Sequence, residues 1–339
     1  MSQRKALITG ITGQDGAYLA KLLLYKGYDV FGGIHKNSGN SLWRLKKLSI
    51  EKSVKIIPFE LLDENVINKH IQQEKYDEIY NLAAQSYVDK SFINPIYTSN
   101  VNALGVIRIL EAIRHYSQST KFFQASSSEM FGNIGHKRRD EKTNFKPISP
   151  YAVSKLYSHM MVNLYREAYN LFCCSGILFN HESPLRGDNY VTQKIIRDLV
   201  KVKIKKLPYV KLGNINVRRD WGYSEDYVKA MWKMLQESKA DDYVISSGHI
   251  YSLKKFINKV SQNLGFKISW VGKGLNEKGI DKNSKKVIVK IDKKLFRPLD
   301  MPYSYGNSIK ASKKLKWKSE TSFDALIKLM CDAELKKNI

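Results

Sequence analysis

The sequence predicts an α/β protein, a doubly wound parallel sheet joined to a smaller C-terminal lobe. Three observations carry this. Short β-rich runs alternate with longer amphipathic stretches through the first half, glycines crowd the junction of the first strand and first helix, and the rhythm loosens after Gly187. Strands alternating with helices favour a parallel sheet covered on both faces, with ligands at the carboxyl ends of its strands.

Taken in order, strands are expected at Ala6 to Thr9, Asp29 to Ile34, Val54 to Phe59 and Asp77 to Ala83, with helices at Ala17 to Lys26 and Val101 to His115. Phe122 to Ala125 and Cys174 to Phe179 read as further buried strands around a helix at Tyr151 to Tyr169. Beyond Gly187, short strands at Val210 to Leu212 and Asp241 to Ser246 mix with helices at Ser224 to Glu237, Leu253 to Asn263 and from Ser322 onward. The Lys/Gly/Asn-rich stretch from Gly272 to Lys286 reads as a mobile surface loop. The expected division is residues 1–187, with contributions from about 210–250, for the sheet domain, and mainly 188–339 for the second lobe.

With 339 residues and 43% apolar content, the chain can build a substantial core. It holds no long apolar run and no leader-like start, so a cytoplasmic location is expected. Cys173, Cys174 and Cys331 lack metal-ligand spacing and read as buried reduced thiols, with no metal. The net charge of +25 raises nucleic-acid binding as an option. The lysines, however, are dispersed through amphipathic segments, without an arginine-rich arm or an aromatic-basic stripe, so neither nucleic acid nor membrane is expected as a partner. Part of the field is expected to serve a polyanionic small molecule.

Directly after the first strand, Gly10, Gly13 and Gly16 fall at three-residue spacing with Thr12, Gln14 and Asp15 between them, and the chain then enters a helix. Such glycines let the backbone approach a pyrophosphate that meets the positive end of the helix, the Rossmann-type arrangement for a dinucleotide. At the end of the second strand, Lys36, Asn37 and Ser38 replace the acid that NAD binders use, which favours NADP. Glu60-Leu61 falls where an adenine-binding carboxylate would lie. Leu82-Ala83-Ala84-Gln85-Ser86 has the small residues needed under the ribose and nicotinamide.

Tyr151 and Lys155 stand four apart at the start of a helix, hence on one face. The ammonium is expected to lower the phenol's pKa towards neutrality and to bind the cofactor ribose. Ser127 is placed to hydrogen-bond the reacting oxygen. Glu129, two residues on, adds a second acid/base able to take a carbon-bound proton and protonate a departing hydroxyl, which points to elimination.

As a set, these motifs closely resemble the GDP-mannose 4,6-dehydratase family, within the extended short-chain dehydrogenase/reductases, over nearly the whole chain. The matching segments are 7–16, 80–86, 124–132, 149–157, 176–184, 219–222 and 296–298. The resemblance implies a redox-neutral lyase: hydride passes from sugar C4 to NADP as Tyr151 takes the hydroxyl proton, Glu129 removes the C5 proton and expels water from C6, and the hydride returns to C6. It assigns Tyr97, His181 and Arg186 to the cofactor. It assigns Ser86, Asn180, Val191, Lys194, Leu212, Gly213, Asn214, Arg219 and Arg297 to the GDP-sugar, and makes the second lobe mainly substrate-binding.

Departures from the family pattern bear on the finer expectations. Lys36-Asn37-Ser38 stand where two arginines and serines are usual, on a loop that reaches a neighbouring subunit, so a homodimer or a homotetramer is expected. Ser127 replaces the usual threonine. Asp89-Lys90 and residues 299–303 also differ near the sugar pocket, which keeps GDP-manno-heptose open as the true substrate. A sugar-nucleotide epimerase or reductase on the same fold is the remaining alternative.

Overall fold

The computed structural model describes residues 3–35, 42–296 and 299–338. In the first half, β1 (Lys5–Thr9), α1 (Gln14–Tyr25), β2 (Asp29–Ile34), the short α2 (Trp43–Lys47), β3 (Lys55–Pro58), α3 (Glu64–Glu74) and β4 (Glu78–Asn81) follow the predicted alternation. Short α4 (Val88–Ile93) and α5 (Pro95–Ser99) come next, and a π-helical turn over Asn100–Leu104 runs into α6 (Gly105–Tyr116). β5 (Lys121–Ser127), α7 (Pro150–Tyr169) and β6 (Cys173–Leu178) complete this part.

The local chemistry explains the boundaries. Asp63 accepts from the backbone N–H groups of Asn65 and Val66 to start α3. Ser149 caps α7 through Ala152 N at 3.1 Å, with Pro150 in its first turn. β6 is buried at every position, as a central parallel strand covered on both faces should be.

The second half contributes β7 (Asn180–Glu182), α8 (Val191–Lys203), β8 (Val210–Leu212), β9 (Arg218–Arg219), β10 (Trp221–Tyr223), α9 (Ser224–Gln236) and β11 (Tyr243–Ile245). It continues with β12 (Tyr251–Ser252), α10 (Leu253–Asn263), β13 (Ile268–Val271), β14 (Lys278–Asp281), β15 (Val287–Ile291), β16 (Tyr303–Ser304), α11 (Ile309–Lys314) and α12 (Phe323–Lys336). The stretch read as a mobile loop is instead largely ordered by pairing. β14 lies antiparallel to β13 and β15, and Asp281 accepts from Lys267 N and from Ser284.

The central sheet has seven strands in the order β11-β6-β5-β4-β1-β2-β3, all parallel. The chain winds outward from β1 to β3, then restarts at β4 on the other side, so the switch point lies between β1 and β4. Both faces are covered. One core joins α1 and α9 to the sheet through residues such as Leu19, Leu23, Met231 and Met234, and another joins α3 and α6 through Ile67, Ile71, Ile109 and Ile113. A separate core forms entirely within 195–331, where α8, α10 and α12 pack on β8 and β15. All three cysteines are buried and unbridged, and burial pushes each thiol up to about 12. Among the described residues, no helix is long and apolar enough to cross a membrane.

Candidate active site

A cleft of about 640 Å³ opens at the switch point and runs from the glycine loop to the second lobe. Its near wall depends on missing side chains. Gly10 has φ +70°, and a Cβ there would lie 2.8 Å from Ala83 N. A Cβ at Gly16 would lie 2.5 Å from Gly10 O. Thr9 Oγ1 ties the two strand ends, donating to Asn81 Oδ1 at 2.6 Å and accepting from Leu82 N and Ala83 N at 3.2 Å. Gly13 begins α1 without a side-chain cap, and Gly13 to Gly16 line the cleft. This backbone cradle at the positive end of a 12-residue helix fits a dinucleotide pyrophosphate.

The cradle is stapled to β7 and the residues that follow it. Gln14 Nε2 donates to His181 O at 2.9 Å and Gln14 Oε1 accepts from Ser183 Oγ at 2.8 Å. Asp15 pairs with His181 at 2.7 Å and accepts from Ser224 Oγ at 2.6 Å. With Nδ1 of His181 facing Phe179 O at 2.7 Å, both ring nitrogens meet acceptors, an arrangement that an imidazolium satisfies completely. Despite burial, the pairing raises the histidine pKa and lowers that of Asp15. Arg186 forms a 2.9 Å ion pair with Glu182, which also accepts from Thr192 Oγ1 at 2.8 Å.

Farther in, Ser127 ends β5 and caps the short 3-10 turn that carries Glu129, accepting from Glu129 N at 3.2 Å. Gly132 closes this turn at φ +59°, where a Cβ would collide with Lys146 O at 1.7 Å. Across the cleft, α7 presents Tyr151 and Lys155 on one face. Ser127 hydrogen-bonds the Tyr151 phenol. Lys155 Nζ donates to Ala125 O at 2.9 Å, and burial lowers its pKa to about 8.

The expected depression of the phenol by this lysine is not found. Burial raises the Tyr151 pKa, the Ser127 hydrogen bond pulls it back, and the charges acting on it are those of Tyr190, Glu129 and Arg186. The lysine is directed at a backbone carbonyl.

Most residues singled out in the sequence share this one cleft. Gly10, Thr12, Gly13, Gln14, Asp15, Gly16, Leu82, Ala84, Ser86, Tyr151, Lys155, His181 and Arg186 line it, together with Ser127, Glu129, Asn180, Val191, Lys194, Leu212, Gly213, Asn214 and Arg219. Lys194 Nζ is held by Lys211 O at 2.9 Å, and Arg219 by Asp300 at 3.0 Å and Met301 O at 2.5 Å.

Five others stand outside the lining. Glu60 pairs with His35 at 3.0 Å, and Leu61 is buried in the core against Gly105. Ala83 sits behind Gly10, Gln85 braces the loop through Asn102 and Thr98, and Tyr97 is exposed on α5. Lys36, Asn37, Ser38 and Arg297 lie outside the described residues.

Arg44, Tyr87 and Tyr190 are among the lining residues that escaped the sequence reading. Arg44 donates to Thr12 O and Leu185 O, each at 2.7 Å, strapping the glycine loop to the chain after β7. A basic side chain on a short Lys/Arg-rich helix carries no signal that separates it from its solvated neighbours.

The GDP-mannose 4,6 dehydratase family profile matches residues 7–330. The chain is 44% identical to human GDP-mannose 4,6 dehydratase, covering 97% of this chain and 91% of that one. It is 43% identical to the Sinorhizobium fredii GDP-mannose 4,6-dehydratase, covering 95% and 94%. Among solved structures, dTDP-glucose 4,6-dehydratase of Bacillus anthracis in complex with NAD superposes with a TM-score of 0.82 at 18% identity, over 99% of this chain and 97% of that one. RMD of Pseudomonas aeruginosa complexed with NADPH gives 0.77 at 19%, over 98% and 100%. The solved structures speak for the fold, and the sequence relatives for the descent: the chain belongs to the GDP-mannose 4,6 dehydratase family.

Proposed function

We propose that the protein is a GDP-sugar 4,6-dehydratase that converts GDP-mannose to its 4-keto-6-deoxy product. The observation that carries this reading is that Ser127 joins the Tyr151 phenol to the turn bearing Glu129, its hydroxyl accepting from the Glu129 backbone N–H, so that all three side chains line one cleft. Tyr151 and Ser127 would hold the C4 oxygen, with Tyr151 accepting its proton. Glu129 would take the proton from C5 and deliver it to the departing C6 hydroxyl, so that one molecule of water leaves and the sugar's oxidation state is unchanged overall. When bound, NADP would supply the hydride acceptor for C4 and the hydride donor for C6, and Tyr151 would return its proton to C5 as C6 is reduced. Lys155 would bind the cofactor ribose, while Lys194 and Arg219 would meet the diphosphate of GDP.

NADP is preferred over NAD in this reading because the end of β2 carries no carboxylate and Arg44 brings a guanidinium to the glycine loop. Residues 1–187 serve the cofactor and mainly 188–339 the substrate, in the cytoplasm. A homodimer is supported by Val153, Tyr157, Met160 and Leu164, an exposed apolar stripe along α7. Incubation with GDP-mannose and with GDP-manno-heptose, followed by detection of the keto product, tests the reading. The expected result is a 4-keto-6-deoxy sugar from GDP-mannose, and no product from either sugar would overturn it.

A further inference from the structure

Tyr190 occupies the same cleft as Tyr151, Ser127 and Glu129, where α4 and α8 approach each other. Its hydroxyl lies 2.7 Å from Ser86 Oγ. Its ring stacks on Tyr87 with centroids 5.1 Å apart and planes 29° from parallel, and the Arg186 guanidinium lies 3.5 Å from its centroid. The backbone is fixed as well: Tyr190 N donates to Gly187 O at 3.2 Å, and Tyr190 O accepts from Lys194 N at 2.9 Å as α8 begins. The phenol is thus locked by stacking, by a cation and by a helix start.

Two hydroxyls in contact use one donor between them. The pair retains a second donor and several lone pairs, and Ser86 is exposed within the cleft. A pair of fixed hydroxyls with spare valence in the cleft that also holds Tyr151 matches the chemistry of a sugar hydroxyl, which also both donates and accepts. We propose that Tyr190 is a substrate-contacting residue that, with Ser86, hydrogen-bonds a hydroxyl of the sugar and so sets which hexose or heptose the cleft accepts. The proposal rests on the GDP-sugar reading above. It assigns a role to an aromatic ring that otherwise looks like packing between the two lobes.

The test is Tyr190→Phe, which keeps the ring, its stack and its cation while deleting only the hydroxyl. Calorimetric titration of wild type and variant with GDP, GDP-mannose and NADPH gives three affinities. GDP and NADPH should bind unchanged. GDP-mannose should bind about fivefold more weakly, so that the preference for GDP-mannose over GDP shrinks by the same factor. Ser86→Ala combined with Tyr190→Phe should cost little more than either alone, because the two serve one substrate group.

An unchanged ratio of GDP-mannose to GDP affinity in the Phe variant would overturn the assignment, as would wild-type protein that binds GDP-mannose no better than GDP. Should wild type bind GDP-mannose and form no keto product, the dehydratase reading alone fails. The affinity ratio then still decides the role of Tyr190.

Discussion

The His181 Nε2 and the Asp15 Oδ2 lie 2.7 Å apart, joining the first turn of α1 to β7 across 166 residues of sequence. The histidine pKa is raised above 6.5, so its stabilising contribution is full below 6.5 and is lost as pH rises through the folded value. The aspartate is lowered below 3.8, so its contribution is present above 3.8 and lost as pH falls through its folded value. The pair therefore stabilises most between these limits. Asp15→Asn should lower stability by about 3 kcal/mol at about pH 6 and flatten the decline above it. Thermal melts across pH check this, and an Asn variant with the wild-type slope would contradict it.

Lys155 is a charge buried against a single carbonyl. Its pKa falls from 10.5 to about 8, so between those values the folded protein binds fewer protons than the unfolded chain and stability rises with pH. Below about pH 8 the full cost applies, about 3 kcal/mol before the hydrogen bond is counted. Lys155→Met should accordingly stabilise the ligand-free protein by about 2 kcal/mol in urea denaturation at neutral pH. Its turnover should drop at least about a hundredfold. A destabilised Met variant would refute the account.

Glu129 and Tyr151 are assigned to different bonds, and single-turnover measurements separate them. Glu129→Gln should slow keto-product formation about a thousandfold yet allow reduced-nicotinamide absorbance to build up. Tyr151→Phe should suppress both signals. Product formed by Glu129→Gln at the wild-type rate would favour an epimerase or reductase.

Gly132 holds the turn that aims Glu129, and no side chain fits against Lys146 O. Gly132→Ala should destabilise the protein by at least about 2 kcal/mol through strain and steric collision, and should reduce kcat as well. Chemical denaturation with steady-state kinetics checks both, and a variant with wild-type stability would show that the loop gives way.

The α7 stripe predicts the assembly. Met160→Glu with Leu164→Glu should convert a dimer to monomer in light scattering, since charged side chains are costly in an apolar interface. An unchanged mass would place the interface elsewhere.

The first half of the fold was legible because its alternation is strong and its turn chemistry local: Gly10, Gly13, Gly16, Ser149 and Pro150 each announce a backbone need. The grouping of Ser127, Glu129, Tyr151 and Lys155 was legible for the same reason, since Ser127 and Glu129 share one turn and Tyr151 and Lys155 one helix face. Long-range contacts were not. Tyr190 reaches Ser86, and Arg44 reaches Leu185, across intervals that no periodicity marks. The direction of Lys155 towards Ala125 also depends on how β5 and α7 pack, which spacing alone leaves open. The 272–286 stretch misled because its polar composition hid a β-strand whose partners lie on either side in sequence.

The staple from Gln14 to His181 and Ser183 also bears on how the molecule comes to exist. A ribosome that has released the glycine loop must add more than 160 further residues before the partners of Gln14 and Asp15 emerge. Contacts of such sequence separation form late, because the intervening loop must close first. The nascent sheet can therefore assemble around β1 and β4 while its ligand cradle stays unbraced. The last part of that cradle to be secured is the part made first.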